Sequence, residues 1–148
     1  MRETIGSTWI FMLIISFTLI FTGFLVLTLS YSKVYKMKNE FTSIIEKYEG
    51  LTPDSEQIIN EYLTNSNYRT KGRCNIGSYA SDSLVSISQV TDDKKQYYYC
   101  IDVRQNKQGK TVFTITLFYD FNLPIFGQLM KYSIKGETYG IKNPVISI

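Results

Sequence analysis

Apolar positions along this chain follow a helical period first and an alternating one later. Residues 4–32 carry no charge, and residues 9–31 make a run of 23 largely apolar positions with Trp9 and Tyr31 at its ends. About 20 such residues in helical form cross a hydrocarbon core, and amphipathic rings favour the headgroup level. The hydroxyls inside the run (Ser16, Thr18, Thr22, Thr28 and Ser30) can bond back to their own helix and so cost little in lipid. Beyond it, Val34, Met37, Phe41, Ile44 and Tyr48 recur at steps of three and four, widened by Ile45, which marks one stripe of a helix. No Pro or Gly interrupts before Gly50, a plausible stop. The pattern predicts one rod over about residues 8–49, roughly 60 Å long at 1.5 Å per residue. Its second half carries an apolar seam.

A second helix is predicted at once. Thr52 suits its N-cap, Pro53 its first position, and Asp54 and Glu56 its acidic first turn. Ile58, Ile59, Tyr62 and Leu63 supply an inner face, and residues 65–67 end it. From about residue 68 the period becomes two. A short strand is expected over residues 84–90. Residues 96–104 place Tyr97, Tyr99, Ile101 and Val103 on one face, against Tyr98, Cys100, Asp102 and Arg104. Residues 105–110 read as a hairpin loop, and residues 111–121 as the clearest strand. Phe113, Ile115, Leu117, Tyr119 and Phe121 face inward there, with Thr114, Thr116, Asp120 and the exceptional Phe118 outward. After a turn at residues 122–124, a last strand over 129–138 turns Met130, Tyr132 and Ile134 inward. Connections this short imply an antiparallel sheet, whose apolar face needs the two helices as cover. The expected fold class is α+β. Residues 1–32 form a transmembrane anchor, 33–50 its extension outside the membrane, and 51–148 a small extracytoplasmic domain.

Composition narrows the function. A cleaved signal peptide is the rival to an anchor, but the apolar run is long, its start holds only Arg2 against Glu3, and no small-residue cleavage site follows. Lys33, Lys36 and Lys38 flank the run on its C-terminal side, which on charge alone keeps the domain cytoplasmic; Cys74 and Cys100 favour an oxidising space. The net charge of +3 is scattered, with no basic stripe for nucleic acid. The lysines beside the span can meet lipid headgroups. With no histidine and two cysteines, neither a Ser-His or Cys-His pair nor a structural zinc site is available. No enzyme, metal, cofactor or small-molecule substrate is signalled. Cys74 and Cys100, 26 residues apart, are either a disulfide or two buried thiols. Tyr and Phe together number 21, mostly in alternating core positions, which leaves Tyr98 and Phe118 as a candidate exposed contact face.

The segment from Gly6-Ser7-Thr8 into the span, and the strand at 111–121 running through Asn122, Leu123, Pro124, Ile125, Phe126 and Gly127 to a strand ending Lys135-Gly136-Glu137-Thr138, resemble type IV pilins. More narrowly they resemble the TadE-like minor pilins or pseudopilins. The resemblance implies a long helix half in the membrane and half beneath a sheet, with a cytoplasmic N-terminus. It also implies partners among pilin-like or assembly-platform membrane proteins. Those families carry a glutamate five residues after the processing glycine, where this chain has Phe11. The expectation is therefore a non-enzymatic, membrane-anchored structural subunit of a pilus-like or secretion-type assembly. The alternative is a tethered module that captures a ligand or partner protein.

Overall fold

The computed structural model describes residues 2–123 and 127–147. One helix, α1 (Arg2–Lys47), takes up 46 residues, about 69 Å at the helical rise. Residues 8–22 are exposed on every side, and from Gly23 onward one face is covered. Thr18, Thr22 and Thr28 donate their hydroxyls to the carbonyls four residues earlier, at 2.7–2.9 Å, so these side chains need no outside partner.

The helix closes one residue short of the end of its apolar seam, at Lys47. Tyr48 N–H still donates to the Ile44 carbonyl, and the left-handed turn falls on Glu49 (φ +53°) rather than on Gly50. Gly50 is needed for other reasons. Its φ of +147° suits only glycine, and a Cβ there would lie 2.1 Å from the Val145 carbonyl oxygen. That close approach belongs to a parallel pair, β1 (Gly50–Leu51) with β9 (Val145–Ile146). Helix α2 (Pro53–Asn65) follows, with Thr52 and Ser55 bonding each other's backbone N–H groups as a capping box and Pro53 in the first turn. Ile59 and Leu63 are fully buried on its inner face, and Ile58 and Tyr62 partly so.

The remaining strands are β2 (Gly72–Arg73), β3 (Tyr79–Ser81), β4 (Ser88–Gln89), β5 (Gln96–Tyr97), β6 (Tyr99–Gln105), β7 (Thr111–Leu123) and β8 (Gly127–Glu137). The main sheet has the order β4-β3-β6-β7-β8, antiparallel throughout, and β2 pairs with β5 as a separate antiparallel ribbon. Its inner face meets the seam of α1. Val34, Met37, Phe41, Ile44 and Ile45 are buried there with Tyr99, Ile101, Phe113, Ile115 and Leu117, and Tyr48 packs at the margin. Phe41 stands edge-on to Tyr62 and Tyr99, with ring centres 6.1 and 5.4 Å apart. This geometry favours aromatic pairs beyond their burial alone. The mixed helix and antiparallel sheet match the α+β expectation in outline.

Two strand expectations change. Residues 84–87 do not pair: Leu84 takes φ +61°, and the Ile87 amide donates to the Glu56 carboxylate at 2.6 Å, drawing this stretch to α2. Alternation also breaks at Tyr98, whose N–H bonds the Ser81 carbonyl. Tyr97 therefore joins Cys100 on the outer face instead of sharing the inner face with Tyr99. The Phe121 and Met130 side chains and the turn at Pro124 lie outside the described residues.

Gly50→Ala should disrupt the β1–β9 pair without unfolding the sheet. Hydrogen exchange should rise at residues 145–147 and 50–51 while β6 and β7 stay protected. Unchanged protection at Ser147, whose N–H donates to Leu51, would contradict this.

Candidate membrane-anchoring and contact surfaces

Three surfaces are candidate sites: the bare half of α1, the outer face of the sheet, and the groove along α2. The bare half is long and apolar enough to cross a membrane. Trp9, Phe11, Leu13, Phe17, Ile20 and Phe21 are all exposed along it, an apolar surface far larger than water-soluble chains leave uncovered. The seam expected on the second half is consumed by the chain's own sheet.

The outer face differs from its expected role. Phe118 is not exposed. At 8% exposure it lies in a second cluster with Cys74, Ala80, Val90, Tyr97 and Cys100. A Cβ on Gly72 would fall 2.3 Å from the Phe118 ring, so the β2–β5 ribbon rests on that ring. Thr114 and Thr116, expected to face solvent, are buried on this same side. Tyr98 is half-buried, with the Lys71 ammonium 4.3 Å from its ring centre. The two residues therefore do not form an open contact face. The signal was present in the sequence as apolar residues on both faces of neighbouring strands, which marks a sheet covered on both sides.

Cys74 and Cys100 are joined as a disulfide, with Cα atoms 5.6 Å apart. The bond ties the ribbon to the central strand. Tyr68 completes the same region. Where β6 would continue to Tyr98, the Tyr68 hydroxyl takes over: it donates to the Phe118 carbonyl and accepts from the Phe118 N–H at 2.9 Å. One side chain thus replaces a missing rung of the ladder. Burial pushes its phenol pKa well above the ordinary tyrosine value; the Phe118 bond acts the other way and the nearby Asp120 charge adds to the rise.

Along α2 an open groove of about 640 Å³ is lined by Glu56, Gln57, Asn60, Glu61, Leu84 and Val85 among others. The Asn60 side-chain oxygen accepts from the Tyr99 hydroxyl at 3.4 Å, and its amide nitrogen is buried without a partner. A smaller hollow of about 470 Å³ beside the ribbon holds Lys71, Arg73 and Lys131, but Lys71 and Lys131 are already bonded to the carbonyls of Asp82 and Lys71. On the far loop the Lys95 ammonium pairs with Asp82 and holds that carboxyl below its usual range. Among the described residues no three of His, Cys, Asp and Glu come together.

No family model, curated protein or solved structure matches this chain.

Tyr68→Phe should leave Phe118 N–H and C=O buried and unpaired, lowering stability by about 1–3 kcal/mol in detergent-solubilised protein. The raised folded pKa means Tyr68 adds stability below about pH 10 that is lost as pH climbs past the unfolded value of about 10. The variant should therefore show a shallower alkaline decline, read from thermal midpoints across pH. Reduction of the Cys74–Cys100 bond should cost about 3 kcal/mol for a loop of this length. A midpoint indifferent to reductant would count against that.

Proposed function

We propose that this chain is a non-enzymatic, single-pass structural subunit of a pilus-like or secretion-type envelope assembly, with its N-terminus in the cytoplasm and its sheet domain outside. The observation that carries the reading is the division of labour along α1. Residues 8–22 are bare and apolar, while Val34 to Ile45 of the same helix lie beneath an antiparallel sheet. A helix half free and half sheathed by its own domain is the architecture of pilin-like subunits. There the free half serves first as anchor and then as the surface through which subunits pack. The Cys74–Cys100 disulfide supports the outward orientation, since such bonds persist in oxidising compartments. This covalent tie outweighs Lys33, Lys36 and Lys38 after the span.

Because the seam is occupied within the chain, contacts between subunits fall to the bare half. A second reading, a tethered binding module, is favoured by the open groove along α2, where Glu56, Gln57 and Glu61 stand beside Leu84 and Val85.

Photo-crosslinkers placed at Phe17 and Phe21 in native membranes should capture other membrane subunits. Recovery of free monomer alone would sink the assembly reading and favour the module. Val85→Cys, on a loop side chain 78% exposed, should react with an impermeant maleimide in intact cells. Labelling only after permeabilisation would reverse the orientation.

A further inference from the structure

The net charge of +3 is scattered along the sequence, but the fold gathers part of it. Lys71 and Arg73, at β2, come together with Lys131 and Lys135 of β8 on the outer side of the sheet. The hollow of about 470 Å³ holds Lys71, Arg73 and Lys131, and a neighbouring one of about 190 Å³ holds Arg73 and Lys135. Both are floored by Phe118 and Ser133. The Lys131 ammonium donates to the Lys71 carbonyl at 3.3 Å, a contact between residues 60 apart in sequence.

These cations lack counter-charges. Among the described residues the one ion pair joins Lys95 to Asp82. Lys71 and Lys131 meet neutral carbonyls, and Arg73 is exposed with no carboxylate on its guanidinium. Two carboxylates stand near. Asp102 lines the smaller hollow and accepts from the Ser78 hydroxyl, and Asp120 lies opposite Lys131 in the β7–β8 register without forming an ion pair. Four cations against two carboxylates leave the site positive. A guanidinium fork matches phosphate oxygens bidentately, and the Ser133 hydroxyl and Gln96 amide in the larger hollow add neutral donors.

The larger hollow also lies at a definite level. Tyr132 is on its wall and stacks on Tyr119 at 5.4 Å, and Tyr119 meets Tyr31 edge-on at 6.2 Å. Tyr31 closes the apolar run of α1. Beyond this layer β8 runs outward along the helix, since a Cβ on Gly136 would meet the Lys38 stem at 2.7 Å. Each headgroup layer is about 5–8 Å deep, and Lys131 to Ser133 advances about 7 Å at the strand rise. A span ending at Tyr31 therefore sets Arg73, Lys131 and Ser133 at the depth of lipid phosphates.

We infer that the hollow between β2 and β8 binds a phosphate group, and that the phosphate is the headgroup of an anionic phospholipid in the leaflet where α1 emerges. Arg73 and Lys131 hold the charge and Ser133 supplies a hydroxyl donor. This rests on α1 crossing the membrane, part of the reading above.

Amide NMR spectra of the full-length protein in phosphatidylcholine nanodiscs test it, with phosphatidylglycerol raised stepwise at constant total lipid. Amides of Gly72, Arg73, Lys131 and Ser133 should shift and saturate, with those of α2 unmoved. At about fivefold for each charge removed, Arg73→Gln with Lys131→Gln should weaken the response about 25-fold. Lys107→Gln with Lys142→Gln removes the same charge from exposed positions at the other end of the sheet and should change nothing. Silence at the four amides, or an undiminished response in the Arg73 and Lys131 variant, would overturn the inference. So would equal shifts from glycerol phosphate added to pure phosphatidylcholine discs at the same total concentration, which would make the ligand a free phosphate. Should the double variant fail to form its disulfide, Lys131→Gln alone carries the comparison at about fivefold. Trp9, the chain's one tryptophan, reports the anchor through quenching by lipid brominated on its acyl chains. Quenched Trp9 with a silent hollow defeats this inference alone, and unquenched Trp9 defeats the anchor reading.

Discussion

Everything in this structure depends on the packing of one helix stripe against one sheet face. Phe41 is its centre: fully buried, edge-on to rings from both α2 and β6. A large apolar side chain buried to this degree contributes about 1.5–3 kcal/mol over its exposed state. Among the described residues the inner face of the sheet has no other broad cover than α1, with α2 closing its end. Because α1 continues unbroken from bare residues to buried ones, the position of the domain relative to the bare half is set by helical geometry rather than by a linker. Orientation along the chain axis and rotation about it are both fixed by where Val34 and Met37 fall on the stripe.

The outer layer has a different logic. A sheet of this size would ordinarily leave its second face in water. Here a two-stranded ribbon, a disulfide and one tyrosine hydroxyl cover it instead. The Tyr98 break makes this possible, since it turns Tyr97 outward and frees Phe118's backbone for Tyr68. Small size explains the staples: a domain with few buried residues gains a large share of its margin from a covalent tie.

The seam of α1, the capped start of α2 and the inward face of β7 were all legible in the sequence, because each is written as a spacing of apolar side chains. The failures fall where side chains do not carry the information. In the run Tyr97-Tyr98-Tyr99-Cys100-Ile101 every position is apolar or amphipathic, so a period of two cannot assign faces, and no spacing announces the ribbon that covers Phe118. The left-handed turn at Leu84 uses a residue type that gives no turn signal. The β1–β9 pair is a backbone contact between four residues, and only the awkward conformation of Gly50 betrays it. As for function, pattern named an anchor and a seam, but whether the seam faced the chain's own sheet or a neighbour depended on tertiary packing.

The same parallel pair bears on the order in which the molecule can be built. Gly50 and Leu51 leave the ribosome directly after the seam, yet their partners in β9 follow some 95 residues later. Chains grow at about 5–20 residues per second, so the corner between the helices stays open for seconds after α1 has been made. During that interval the stripe around Phe41 has no sheet to cover it, and β7, its main cover, is itself among the later elements. The newborn chain thus passes through a stage in which a helix long and apolar enough to cross a membrane trails an exposed apolar band. Whatever shelters that band, lipid interface or chaperone, is as much a requirement of this fold as the core that finally replaces it.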